Sequence, residues 1–72
     1  MRIHVLVHQN EDGYWAEARA TPYSSCLTQG DTLEEIMELV PGAVELMLED
    51  TSFEGAEFTL SYEMLPFEVF DA

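Results

Sequence analysis

The chain has 72 residues, with two Arg and no Lys against fifteen carboxylates, a formal net charge of −13, 47% hydrophobic residues and a single Cys. That length accommodates one domain over residues 1–72, and a core so small makes self-association or a partner a fair expectation. The lone Cys26 excludes an intrachain disulfide, the scarcity of cations excludes a basic nucleic-acid surface, and no apolar run approaches the roughly 18 residues of a membrane span.

Ile3 to His8 alternates, with Ile3, Val5 and Val7 on one side and Arg2, His4, Leu6 and His8 on the other, which predicts a strand. Gln9 to Gly13 is a turn cluster, and Tyr14 to Ala20 resumes in extended form, so the two runs read as a hairpin. On its second arm Tyr14, Ala16, Ala18 and Ala20 share a face small enough for a covering helix, while Trp15, Glu17 and Arg19 share the other. Thr21 and Pro22 end the run, and Ser24 to Gln29 reads as a short third strand leading to a turn at Gly30.

Thr32 followed by Glu35 is a capping box, with the hydroxyl accepting an orphan amide hydrogen and the Glu reaching back. A helix therefore starts at Leu33. At about 100° per residue, Leu33, Ile36, Met37, Val40, Ala43, Val44 and Met47 fall on one face, and Glu34, Glu38, Glu45 and Glu49 form a stripe opposite. Pro41 and Gly42 interrupt it, but the apolar phase is the same on both sides, which favours one kinked helix over two short ones broken at Pro41. Glu57 to Leu65 alternates again, with Phe58, Leu60, Tyr62 and Met64 on one face, and is the last main strand. Beyond Pro66, the apolar Phe67, Val69 and Phe70 form a tail suited to docking on a neighbour.

The order β-β-β-α-β predicts an α+β two-layer sandwich, a three- or four-stranded antiparallel sheet carrying one amphipathic helix. Such a sandwich leaves one sheet face bare. Leu6 and Trp15 would sit there, rimmed by Arg2, Glu17 and Arg19, and together with Phe67 and Phe70 they are the candidates for self-association.

The run Cys26-Leu27-Thr28-Gln29-Gly30-Asp31-Thr32-Leu33-Glu34-Glu35, preceded by a hairpin containing Asn10-Glu11-Asp12-Gly13-Tyr14-Trp15-Ala16-Glu17, resembles the HicB-like antitoxin family over roughly the first fifty residues. In that family a hairpin with an acidic Asp-Gly turn precedes a Gly-Cys-x-Thr-x-Gly-Asp-Thr-x-x-Glu-Ala run and a helix. Here Ser24-Ser25 replaces the usual Pro-Gly before the Cys, Ile36 stands where Ala is usual, and Pro41-Gly42 interrupts the helix. The resemblance implies a fold similar to a partial ribonuclease-H or double-stranded-RNA-binding-like domain, dimeric or larger, that neutralises a small basic HicA-like ribonuclease toxin. Many members also carry a C-terminal DNA-binding module. This chain stops at Ala72, so direct DNA binding is not expected.

The Glu34, Glu38, Glu45 and Glu49 stripe is the candidate toxin-binding surface, because it lacks any Lys at i+4 and a basic partner would relieve its self-repulsion. Its bland alternative is an ordinary solvated helix face. His4 and His8 share a strand face but lie about 13 Å apart, too far to bind one metal ion. Cys26 reads as a small buried hydrophobe whose thiol is raised by surrounding carboxylates, and no phosphate loop, Cys cluster or Ser-His-Asp spacing appears. Neither catalysis nor a cofactor or metal is expected. The leading expectation is a cytoplasmic antitoxin-type binding module; the alternatives are an orphan self-associating domain without a toxin and a small-molecule cleft between protomers.

Overall fold

The computed structural model describes residues 1–21 and 24–66. They form β1 (Arg2–Asn10), β2 (Gly13–Thr21), β3 (Ser24–Gly30), α1 (Leu33–Leu48) and β4 (Thr59–Met64). The sheet order is β3-β2-β1-β4, with the helix on one face.

Each element has a local cause. The β1–β2 hairpin closes on Glu11 and Asp12, with Asn10 opposite Gly13, and the Asn10 side chain accepts the Asp12 amide hydrogen at 2.9 Å. Gly13 has φ of +133°, and a Cβ there would stand 2.8 Å from the Gly30 carbonyl oxygen, so both the turn and the approach of β3 require glycine. At the helix start, Thr32 Oγ1 accepts the Glu35 amide hydrogen at 3.2 Å. The Glu35 carboxylate reaches back to the Asp31 amide at 3.0 Å, one residue before the cap, so the box closes a slightly wider loop than the usual reciprocal pair.

The helix runs unbroken through Pro41. An interior proline forfeits a hydrogen bond and typically costs about 3 kcal/mol. Opposing that cost, Ile36, Val40, Val44 and Leu48 form one continuous buried ridge spanning it. The ridge packs on Ile3, Val5 and Val7 of β1 and Ala16 and Ala18 of β2, which are likewise buried. At about 1.5 to 3 kcal/mol for each large aliphatic side chain removed from water, this cluster is the main stabilising term of a small domain. The chain leaves the helix through Thr51, whose hydroxyl donates to the Leu48 carbonyl at 2.7 Å and accepts the Phe53 amide hydrogen at 3.1 Å.

The sheet differs from the antiparallel expectation in one pairing. β1, β2 and β3 are antiparallel, but β4 runs parallel to β1, with Ile3 opposite Leu60, Val5 opposite Tyr62 and Val7 opposite Met64. The reason is directional: two hairpins bring β3 parallel to β1, the helix returns the chain across the face, and the next strand must again run with β1. Three bonds of 2.9 Å extend the seam: the Met1 ammonium donates to the Glu57 carbonyl, the Thr59 amide to the Met1 carbonyl, and the Leu65 amide to the Val7 carbonyl.

The helix lies over β2 and β3 rather than centrally. Two expectations change as a result. Tyr62 and Met64 are on the helix side of the sheet, as their alternation predicts, yet both are exposed on the uncovered edge strand. On the helix itself Met37 is exposed, and Leu48 takes a buried place that the apolar-face assignment omitted.

Candidate functional site

Two surfaces emerge, on opposite sides of the molecule. The first is the outer face of α1. Glu34, Glu38, Glu45 and Glu49 are all exposed and project within a sector of about 60°, a stripe about 22 Å long at 1.5 Å rise per residue. No basic residue occupies the last turn, and Glu49 itself is the C-cap, so the negative end of the helix macrodipole carries additional negative charge. Leu39 and Leu46, seven residues apart, are exposed beside the stripe, Leu46 to 66%. They are the residues that the sequence reading missed. Their signal was angular, since both lie off the Ile36–Leu48 ridge, on the acidic side of the helix.

The second surface is the sheet face that the helix does not cover. Leu6 and Trp15 are both there, as expected, half-buried among their strand neighbours. Trp15 stacks on His8 across the β1–β2 pair, with ring centroids 3.6 Å apart and planes 4° from parallel. Arg19 donates to the Glu17 carboxylate at 2.8 Å. Leu27, opposite Glu17 on the outer strand β3, is exposed to 68% and extends the apolar patch to that edge. Phe67 and Phe70, the other self-association candidates, lie outside the described residues.

Cys26 sits on the helix side of β3, half-buried against the core cluster. Burial pushes its thiol above the ordinary range, and a backbone hydrogen bond from Ala18 opposes that shift in part. Desolvation is therefore the cause, in place of the carboxylates that the sequence suggested. Burial likewise raises the Tyr62 phenol. Among the described residues no group of three or more His, Cys, Asp and Glu side chains converges in a way that could hold a metal ion. No described helix is long and apolar enough to cross a membrane. An open hollow lies between the hairpin turn and the helix start, lined by Asn10, Asp12, Trp15, Gln29, Asp31 and Glu35. Its rim is acidic, and Trp15 and Gln29 join it to the end of the bare sheet face.

No family model and no solved structure matches the chain. The chain is 36% identical to a UPF0150 protein of Archaeoglobus fulgidus over 59 residues, covering 81% of this chain and 84% of that one. It is 31% identical to a UPF0150 protein of Synechocystis sp. over 53 residues, covering 74% of this chain and 75% of that one. At these identities and coverages, the chain belongs to the UPF0150 family.

Proposed function

We propose that this chain is a HicB-like antitoxin, a non-catalytic cytoplasmic binding module that sequesters a small basic ribonuclease toxin on the outer face of α1. The observation that carries the reading is the stripe of Glu34, Glu38, Glu45 and Glu49, unneutralised by any Lys and bordered by the exposed Leu39 and Leu46. Charge alone supplies steering and selects cationic partners, while exposed leucines add the desolvated contact area that lengthens residence. A ribonuclease must present cations to RNA phosphates, so an acidic ridge of this length occupies the surface that its substrate would use. The run from Cys26 to Glu35 that resembles HicB-like antitoxins occupies the end of β3, the cap and the first turn of α1, and it sets the stripe's starting point. No cofactor enters this reading. Direct binding to nucleic acid is disfavoured by a charge of −13.

The test is isolation of the native protein at low salt with identification of what co-elutes. A small basic protein released by raising the salt is expected. Glu34→Lys, Glu38→Lys and Glu45→Lys together should weaken that complex at least about a hundredfold while leaving circular dichroism unchanged. Unchanged affinity would remove the stripe from the account. The second reading, an orphan self-associating domain, is favoured by the exposed Leu27 on the bare sheet face. Recovery of the chain with itself alone would select it.

A further inference from the structure

The two edges of the sheet are unlike. The helix packs over the β3 edge, whereas β4 has no such cover. The bonds from the Thr59 amide to Met1 and from the Leu65 amide to Val7 aim the backbone of the odd-numbered residues of β4 at β1. Alternation then turns the amide and carbonyl groups of Leu60, Tyr62 and Met64 outward, where no described residue pairs with them. Their side chains form the strand's helix-side row, with Leu60 packed against the core, Tyr62 36% exposed and Met64 49% exposed. Beside this row stands the acidic flank of α1. Glu45 and Glu49 line one hollow with Leu48, Glu54 and Phe58, the residue that begins the row. At about 100° per residue the exposed Met37 lies on the same flank as Leu48, with Glu34 and Glu38 farther round toward solvent. Stripe and strand match in length, about 22 Å against about 20 Å for the six residues of β4 at roughly 3.3 Å each. Both arginines of the chain lie on the opposite sheet face, where with Glu17 and Glu63 they leave a formally neutral surface.

From the open edge beside an acidic wall we infer that β4 is a strand-addition site for an extended cationic segment of a partner protein. The outward groups of Leu60, Tyr62 and Met64 supply the main-chain ladder. A fifth strand about 4.8 Å beyond β4 places every second side chain on the helix side. Long basic side chains there lay their apolar stems along Tyr62 and Met64 and carry their charges to the glutamate stripe. Acidic side chains in the same places are repelled by it. A second copy of β4 is the poorer occupant, because Thr59–Met64 brings Glu63 and no cation. The inference rests on the toxin-binding reading for the identity of the partner. It adds the conformation in which that partner binds and the residues that it covers.

Amide hydrogen exchange of the full chain, read residue by residue, tests this with a synthetic peptide of about eight residues alternating Arg and Thr, slightly longer than β4. Saturating peptide is expected to slow exchange at Leu60, Tyr62 and Met64 at least about tenfold and to leave Leu27, on the other edge strand, unchanged. Two further peptides, N-methylated at every Arg or at every Thr, keep the charge but lose the hydrogen-bond donors of one edge. Only one edge of an added strand faces β4, so one of the two should bind at least about tenfold more weakly and the other should bind as before. Met64→Glu, at a half-exposed side chain, should retain the fold and weaken binding at least about tenfold, whereas Leu27→Glu should not. Equal affinity of the two methylated peptides would overturn the inference, as would binding without protection of the three amides or no binding at millimolar peptide. The toxin-binding reading would then still be decided by co-elution and by the Glu→Lys variants. Protection of the three amides without recovery of a basic protein from cells would keep the site and remove the toxin.

Discussion

The helix C-terminus offers the most direct physical test of how the acidic stripe is maintained. Replacing Glu49 with Lys reverses a side chain at the C-cap while the backbone bonds from its amide to the Glu45 and Leu46 carbonyls persist. Two electrostatic terms change sign. A carboxylate in the last turn opposes the macrodipole and an ammonium complements it, each by about 0.3 to 1 kcal/mol for exposed groups. The Glu45 to Glu49 pair at i+4 goes from like-charge repulsion to the favourable Glu-before-Lys order, about 0.2 to 0.5 kcal/mol in each sense. Together these predict stabilisation of about 1 to 3 kcal/mol at low ionic strength. For a domain of this size that raises the melting temperature by roughly 4 to 24 °C. Thermal unfolding followed by circular dichroism would measure it, and the gain should shrink as salt screens both terms. An unchanged or lowered melting temperature at low salt would refute the reasoning. A native sequence that keeps Glu at this position forgoes stability there, as expected if the stripe serves a partner.

Two further outcomes follow from particular residues. Gly13→Ala places a Cβ at φ +133° and 2.8 Å from the Gly30 carbonyl oxygen, which should destabilise the fold by about 2 to 4 kcal/mol in chemical denaturation, whereas at exposed Gly42, with open space around it, Ala should be neutral or stabilising. Because burial raises the Cys26 thiol, iodoacetamide at mildly alkaline pH should alkylate it more slowly than free cysteine, and denaturant should restore the ordinary rate; equal rates in the native state would contradict the half-buried placement.

Period and spacing were sufficient for most of the architecture. Alternation of Ile3, Val5 and Val7 against Leu6 and His8 settles which side chains share a face, because successive residues in a strand must point oppositely wherever they pair. The 100° phase across Pro41 settles that one helix is possible, and Thr32 with Glu35 marks its start, since capping is a local affair of four residues. The acidic stripe was legible for the same reason: it depends only on positions within one helix. Tertiary structure decided what lies between elements. Nothing local in Thr59–Met64 says that it will pair with β1 in parallel; that follows from the count of chain reversals before it. Nor does any local pattern place α1 over β2 and β3, the choice that exposes Tyr62, Met64 and Met37 and buries Leu48. The neutrality of the bare sheet face is of this second kind as well. Arg2, Glu17, Arg19 and Glu63 are scattered along the chain, and only strand register gathers them on one surface.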